Sequence, residues 1–214
     1  MSAALPNGSV ISIAATYAGL KNMTALSNAA EAVATLEASH GVIVNDIVEI
    51  TSGWSKLSGR IARAKAVATN DVTLEKIDTT STLRYPAGSG TGQVREILTW
   101  QQISQILDSQ TDGGEQQFST FKYLEDDTER RIPTRKSAKG LTLKVADDAS
   151  LPHYAVLDAA DSAGTPRAIR VQLSSGAILY YNAYVSFNKT PSLTIDEVMA
   201  LTVTLSFVAD ETRY

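Results

Sequence analysis

The sequence predicts a mainly β protein, an antiparallel β-sandwich or barrel with one or two short flanking helices and long loops. Residues 199–208 (MALTVTLSFV) alternate apolar and polar side chains without a break, as a half-buried strand does. Residues 169–173 and 179–187 alternate in the same way, and the intervening Ser-Ser-Gly is typical of a hairpin turn. A chain of 214 residues suffices for one large domain, and we predict a single domain over residues 1–214.

Two segments have the pattern of a capped helix. Thr99 is a candidate N-cap for residues 100–109, in which apolar side chains recur at helical spacing. Ser150 is a candidate N-cap for a second helix, with Pro152 in its first turn and an end before Asp161. Between them, the alternation over residues 141–145 and the aromatic-rich residues 116–124 (QQFSTFKYL) predict two strands.

The first half has weaker patterns. We predict a strand over residues 10–17, a strand pair or one bent strand over 41–50, and a hairpin formed by 60–67 and 72–77. Residues 28–38 are rich in Ala and Glu and favour helix on propensity. Residues 41–96 are therefore expected to form a small β insertion or extended-loop region.

Composition excludes several classes of protein. No apolar run approaches the roughly 20 residues of a transmembrane helix, and the first residues lack a secretory pattern. The absence of cysteine removes disulfides, thiolate catalysis and cysteine-ligated zinc. A formal net charge of −4 disfavours tight nucleic-acid binding, which requires clustered Lys and Arg.

The segment RYPAGSGTGQVREI (residues 84–97) resembles a phosphate-binding loop in composition only. Gly88, Gly90 and Gly92 have the spacing G-x-G-x-G instead of G-x-G-x-x-G, and no Lys follows as a P-loop requires. The residues after the loop favour an extended chain, whereas a dinucleotide site needs a helix there. We therefore predict a flexible loop of the kind that becomes ordered only against a partner.

The charged run over residues 125–131 lies between two predicted strands. It lacks the spacing of a calcium loop, so a solvated hairpin tip is expected. Asp126, Asp127, Arg130 and Arg131 are candidate subunit-contact residues because acidic and basic groups on one protruding segment suit contact between copies. The two histidines, His40 and His153, are expected to be structural. No catalytic, cofactor-binding or metal-binding residue is predicted.

The C-terminal part of the sequence resembles the tail tube (major tail) proteins of bacteriophages with long, non-contractile tails. The resemblance is to a short helix, a strand with basic residues near its start (Arg167, Arg170), a hairpin at Gly176, a strand ending near AYVS and a final alternating strand. An acidic loop with Asp196 and Glu197 precedes that last strand. The passage TWQQISQILDSQTDGGEQQFSTFKYLEDDTERRIPTRKSA is also similar to the family, so the likeness covers about residues 97–214.

The resemblance implies a structural virion protein without enzymatic activity or cofactor. Copies would form stacked, hexameric rings that enclose a lumen for DNA ejection. The implied partners are other copies, the tape-measure protein and transiting DNA in the lumen, and the tail-tip and tail-terminator proteins, with no membrane. The resemblance places the protein in the virion tail, assembled in the host bacterial cytoplasm. An N-terminal arm, residue 1 to about residue 8, is expected to order across ring interfaces. The loop with Gly88, Gly90 and Gly92 is then expected to contact a neighbouring subunit or ring, and its deletion should impair polymerisation while leaving the monomer folded.

Two alternatives remain open at this point. The first is another β-sandwich virion component, such as a tail terminator, a tail-tip protein or a head decoration protein. The second is a carbohydrate-binding or adhesin module, for which Tyr180 and Tyr184 on one strand face would supply an aromatic platform.

Overall fold

The computed structural model describes residues 7–214, and in this range the protein is mainly β with antiparallel strands and a single helix. The helix is α1 (Pro152–Ala163). The strands are β1 (Val10–Tyr17), β2 (Lys21–Leu26), β3 (Val33–Leu36), β4 (Ile47–Ser52), β5 (Ile61–Ala68), β6 (Asp71–Leu74), β7 (Gly92–Ile103), β8 (Ile106–Asp112), β9 (Gln116–Phe121), β10 (Arg130–Lys136), β11 (Gly140–Ala146), β12 (Arg167–Gln172), β13 (Ile178–Asn188), β14 (Ala200–Phe207) and β15 (Thr212–Arg213).

Six strands close into a small barrel. They follow the order β2-β3-β6-β5-β4-β7, and β7 returns to pair with β2, with Lys21 opposite Val94 and Met23 opposite Gly92. Closure gives each strand a neighbour on both sides and therefore removes sheet edges. The barrel interior is apolar, and its largest fully buried side chains are Met23, Ile50, Trp54, Leu57, Leu74 and Ile77.

The second part of the fold is a curved sheet in the order β7-β1-β12-β13-β14-β11-β8. Helix α1 packs on one face of this sheet, where the Tyr154 ring meets the Phe187 ring edge-on at 5.1 Å. Leu157 of the helix is fully buried in the same core. The core side chains of the sheet alternate along their strands and include Ile13, Ile103, Leu143, Ile169, Val185, Val203 and Leu205.

Strand β7 belongs to both parts. Its residues 92–96 pair with β2 and β4 in the barrel, and its residues 97–103 pair with β1 in the sheet. A buried polar cluster lies beside this transition. The Glu49 carboxylate accepts hydrogen bonds from Arg95 Nε (2.8 Å) and from Asn182 Nδ2 (2.9 Å), so it joins the barrel to β13.

Strands β9 and β10 form a separate two-stranded ribbon that is hydrogen-bonded to neither the barrel nor the curved sheet. Most of its side chains are exposed on both faces, including the apolar Phe118 and Ile132. The charged run at residues 125–129 is the tip of this hairpin, as predicted.

Most of the predicted strands are confirmed. These are the C-terminal hairpin and final strand, the strands at 10–17, 116–124 and 141–145, and the hairpin formed by β5 and β6. The prediction for residues 41–50 was partly right, because turns occupy 44–45 and a single strand, β4, follows. Of the predicted N-terminal arm, residues 1–6 lie outside the described residues.

The helix predicted at residues 100–109 is wrong. Residues 92–103 continue as one strand, and a left-handed backbone at Gln105 (φ 58°) turns the chain into β8. The Trp100 ring packs at a tilt against the Tyr180 ring (centroids 5.7 Å apart), and Ile103 is buried in the sheet core. Pairing with β1 therefore prevails over the helical spacing of the apolar side chains.

The helix predicted at residues 28–38 is also wrong. Residues 33–36 form β3, and the buried residues Ala32, Ala34 and Leu36 recur with the period of two of a strand inside the barrel. The helix predicted after residue 150 is confirmed as α1, but Leu151 occupies the N-cap position. Ser150 instead donates its hydroxyl hydrogen bond to Asp148 Oδ1 (2.6 Å), and the helix extends to Ala163.

Replacement of Glu49 tests the junction between barrel and sheet. Glu49→Ala leaves the Arg95 guanidinium and the Asn182 amide without their buried partner, and we expect the free energy of unfolding to fall by about 3 kcal/mol. Denaturant unfolding measures the change. Glu31→Ala, which removes a more exposed ion pair with Lys65, is the control and should lower the free energy of unfolding far less. Equal losses for the two variants would contradict a special role for Glu49.

Tyr214 provides a second contact between the two parts. Its side-chain oxygen accepts a hydrogen bond from the Arg63 backbone N–H (2.8 Å) and donates one to the Glu75 carbonyl (3.1 Å), while its own backbone pairs with Ile178. Burial of the phenol raises the pKa of Tyr214 to about 12.

Alkaline pH should therefore destabilise the protein. An unfolded tyrosine ionises near pH 10, whereas folded Tyr214 keeps its proton to about pH 12, so its contribution is complete below pH 10 and is lost as pH rises to 12. Tyr17, Tyr180 and Tyr181 also have raised pKa values because of burial. Between pH 9 and 12, the free energy of unfolding should fall less steeply with rising pH for Tyr214→Phe than for the natural chain. Identical slopes for the two proteins would contradict this assignment.

Candidate subunit interface

The glycine-rich loop closes one end of the barrel. The Trp54 indole N–H donates to the Pro86 carbonyl (2.8 Å), and the Ser52 hydroxyl donates to the Gly90 carbonyl (2.8 Å). A Cβ on Gly90 would lie 2.9 Å from the buried Trp54 ring. Gly88 has a left-handed backbone (φ +79°) and open space around it. Gly90 is thus required for packing within the chain.

Gly92 starts β7 directly against β4. A Cβ at this position would lie 2.0 Å from the Thr51 carbonyl oxygen, closer than any side chain allows. The loop leads into a strand and not into a helix, so no helix N-terminus faces it as in a dinucleotide site. Contact between the loop and a neighbouring subunit stays a prediction.

The hairpin tip is internally braced. Arg130 Nη2 lies 2.9 Å from Asp126 Oδ2, and the same guanidinium lies 5.3 Å from the centre of the Tyr123 ring. The Tyr123 carbonyl also accepts the Asp126 N–H (3.2 Å), which closes the turn. Asp127 and Arg131 are exposed, and no ion pair involves either of them within residues 7–214. Of the four predicted contact residues, Asp126 and Arg130 therefore shape the tip, while Asp127 and Arg131 face solvent.

A basic groove lies between the barrel, the base of the hairpin and the end of β14. Its volume is about 890 Å³. Its walls come from residues 55–60, 84–85, 116, 134–139 and 207–210, which are far apart along the chain, so no pattern in the sequence indicates the groove. The positively charged residues that line it are Lys56, Arg60, Arg84, Arg135, Lys136 and Lys139.

Two of these cations have partners within the chain. Lys139 Nζ pairs with Glu211 Oε2 (2.9 Å), which raises the pKa of Lys139 and lowers that of Glu211. Arg60 Nη2 donates to the Glu211 carbonyl (3.4 Å) and to the Thr212 hydroxyl (3.3 Å). Its Nε is buried and has no hydrogen-bond partner within residues 7–214.

The curved sheet has one uncovered face. Opposite the core, the side chains at the end of β13 and along β14, β11 and β8 are mainly hydroxyl-bearing or otherwise polar, and we call this surface the polar face. Cross-strand pairing places its members side by side: Tyr184, Ser186, Asn188, Thr202, Thr204, Ser206, Thr142, Lys144, Asp108, Gln110 and Asp112. Thr142, Thr202 and Thr204 are half-buried and the others are exposed. An exposed apolar loop with Leu193 and Ile195 lies beside it.

The sheet also has unpaired strand edges. Within residues 7–214, β8 pairs only with β11, and residues 97–103 of β7 pair only with β1. The Ser109 N–H points away from β11 and is bonded by the Asp108 carboxylate (2.8 Å). Such edges are ready to accept another strand.

The histidines have structural partners. His40 Nε2 lies 3.0 Å from the Thr69 carbonyl, and His40 Nδ1 accepts the Val42 N–H (3.1 Å), so both ring nitrogens have backbone partners. His153 Nδ1 lies 3.3 Å from the Ser104 hydroxyl, a pair that the sequence did not indicate. His153 is only 3% exposed, its pKa is lowered by burial, and no carboxylate hydrogen-bonds to it within the described chain. The pair therefore does not form a catalytic triad.

The part of the chain from residue 7 onwards contains no group of three or more His, Asp or Glu side chains placed to hold a metal ion. No helix in that part is long and apolar enough to cross a membrane.

A comparison with known protein families identifies the family of the chain. Residues 52–214 match the family described as "Phage tail tube protein, TTP". The chain belongs to this family. No curated protein matches the sequence. Phage tail tube proteins are structural and form a tube, so membership places the protein in the virion tail.

The glycine at the start of β7 gives a testable consequence for this tail tube protein. Gly92→Ala forces β7 away from β4, and we expect the free energy of unfolding to fall by about 2 kcal/mol or more. Gly19→Ala is the matched control, since a Cβ there meets nothing within 4 Å. Chemical denaturation of both variants measures the difference, and a Gly92→Ala variant as stable as Gly19→Ala would refute the close approach.

Proposed function

We propose that the protein polymerises as stacked hexameric rings whose lumen is lined by the polar face, and that DNA leaves the virion through this lumen. The observation that supports the proposal is the asymmetry of the curved sheet. One face is covered by α1 and the apolar core, whereas the other face keeps its Ser and Thr side chains uncovered. The wall of a water-filled channel needs a sheet of this kind, with one face packed on the apolar core and a polar face towards the water.

The free strand edges favour ring formation. β8 and residues 97–103 of β7 lie at opposite edges of the same sheet, so a contact between β8 of one copy and β7 of the next is heterologous. Heterologous contacts close into rings when the rotation between copies permits it. Ring closure would also satisfy the backbone groups that the single chain leaves open.

The charge of the polar face suits passage of DNA. Asp108 and Asp112 outnumber Lys144, and the remaining members are uncharged. Few cations are available to replace the counterions of DNA, so phosphates are not retained by the wall. A ring structure with a lumen lined mainly by Lys and Arg would overturn this assignment.

The remaining roles follow from a tube. We propose that tape-measure protein and DNA occupy the lumen without specific binding, and that the ends of the tube contact tail-tip and tail-terminator proteins. Assembly takes place in the host bacterial cytoplasm, and the protein has no enzymatic activity. Another virion component with this fold is the alternative, distinguished by whether the rings stack without limit. The carbohydrate-binding alternative loses its platform, because Tyr180 is 6% exposed and packs between Trp100 and Tyr214.

Blocking the β8 edge tests ring formation. Ser109→Pro removes an outward N–H while the pairing of β8 with β11 stays intact, and we expect the variant to remain monomeric. The measurement is light scattering over a concentration series, with negative-stain electron microscopy of the same samples. The natural chain and the matched control Ser109→Thr should form six-fold rings or hollow tubes. Rings or tubes of normal size from Ser109→Pro would exclude the β8 edge as the ring contact.

A further inference from the structure

The basic groove holds positive charge that the chain itself does not neutralise. Lys56, Arg84, Arg135 and Lys136 make no ion pair within residues 7–214, and the buried Arg60 Nε has no hydrogen-bond partner there. Asp210 is the one carboxylate among the residues lining the groove in the described chain, and it lies near Lys139 (3.8 Å). Clustered cations repel one another and favour an anionic occupant.

The hairpin tip carries carboxylates in a similar state. Glu125, Asp127 and Glu129 are exposed and have no ion pair within the described residues, whereas Asp126 forms an ion pair with Arg130. Leu124, beside them, is 101% exposed. The tip therefore presents three unpaired negative charges around one apolar side chain. The groove offers the complement, because Tyr85, Phe207 and Val208 lie among its cations.

The tip cannot enter the groove of its own chain. Gln116 and Lys136, which pair at the base of the ribbon, line the groove. Phe121 and Arg130, the last pair before the tip, are five residues further along the ribbon, which is about 17 Å at the rise of a β-strand. The paired strands hold the tip away from the base, so a tip that fills the groove belongs to another copy.

We propose that the tip of one copy, residues 124–129, docks in the basic groove of a second copy. The proposal rests on the proposed tube function and specifies a contact by which copies join head to tail. Leu124 packs on Phe207 and Val208, and the three free carboxylates meet Arg84, Arg135 and Lys136. Every copy carries one tip and one groove. Each copy can therefore bind one neighbour through its tip and another through its groove, and the contact repeats from copy to copy.

A nucleic acid is the competing occupant of a basic groove. The apolar side chains on the groove wall and the compact arrangement of its cations favour a protein tip over a long phosphate backbone. The matching carboxylates on the same chain favour the tip further, since complementary charges guide association between copies.

Charge reversal on either side provides the test. A tip variant carries Glu125→Lys, Asp127→Lys and Glu129→Lys, and a groove variant carries Arg84→Glu, Arg135→Glu and Lys136→Glu; all six side chains are exposed. We expect each variant alone to need at least about tenfold more protein to polymerise than the natural chain. An equimolar mixture should polymerise nearly as the natural chain does, because each tip then meets a groove of opposite sign.

Cross-linking gives a second measurement that does not need a tube. The chain has no cysteine, so Asp127→Cys and Arg135→Cys in separate molecules are unique thiols. Mild oxidation of the mixture should give a disulfide-linked dimer. Leu20→Cys, also exposed, replaces Asp127→Cys in the control and should give none.

The outcomes separate this contact from the tube function. Normal tubes from both reversal variants, without a disulfide-linked dimer, would overturn the contact and leave the tube proposal standing. Failure of the natural chain to polymerise would count against the tube, and the cross-link would then decide the contact alone. A mobility shift of duplex DNA that the groove variant abolishes, with no cross-link, would assign the groove to nucleic acid and also overturn the proposal.

Discussion

The Glu49 carboxylate is the interaction on which the arrangement of the fold depends most. It lies on β4 in the barrel, binds Arg95 on β7 and reaches Asn182 on β13 of the curved sheet. Arg95 in turn stacks on Tyr17, whose hydroxyl accepts the Ala168 N–H (2.8 Å). One buried charge and its partners therefore fix how the barrel is set against the sheet, at the point where β7 passes from one to the other. Any surface formed by both parts, including the basic groove, depends on this setting.

The exposed surfaces divide into two kinds. The polar face and the strand edges belong to the curved sheet, whereas the hairpin and the basic groove lie beside it. In the proposed tube of stacked rings, contacts within a ring and contacts between successive rings need separate surfaces, because one patch cannot serve two neighbours at once. The single chain offers such a separation. Asp108 occupies the outward N–H of Ser109, so the edge is blunted in the single chain.

The C-terminal third could be predicted from sequence because its pairing is local. Strands β12 and β13 are joined by a short turn, and a period of two decides which side chains are buried. The wrong helix at residues 100–109 arose where distant pairing decides. Trp100 and Ile103 have helical spacing, yet their strand lies against β1, more than 80 residues earlier in the chain. Closure of the barrel depends in the same way on β2 and β7, which no local pattern connects.

The candidate interface was predictable only in part, for the same reason. Residues 125–131 stand out in the sequence because they are consecutive, and they are the tip of the hairpin and the first residues of β10. The glycines of residues 88–92 stand out as well, but their spacing reflects the Trp54 ring and the Thr51 carbonyl, which the sequence alone does not place there. The basic groove is assembled from five separate segments and leaves no pattern along the chain.

The closed barrel has a consequence for how the protein can change in evolution. Each strand of the barrel is hydrogen-bonded to a neighbour on both sides. A loop between two of these strands, such as the one that exposes Ile43 and Val44, can therefore be lengthened or replaced without creating an unpaired strand edge. The curved sheet lacks this freedom, because a change in its outer strands alters the surface offered to every other copy. We therefore expect related phages to diversify the barrel loops while the outer strands of the sheet vary slowly.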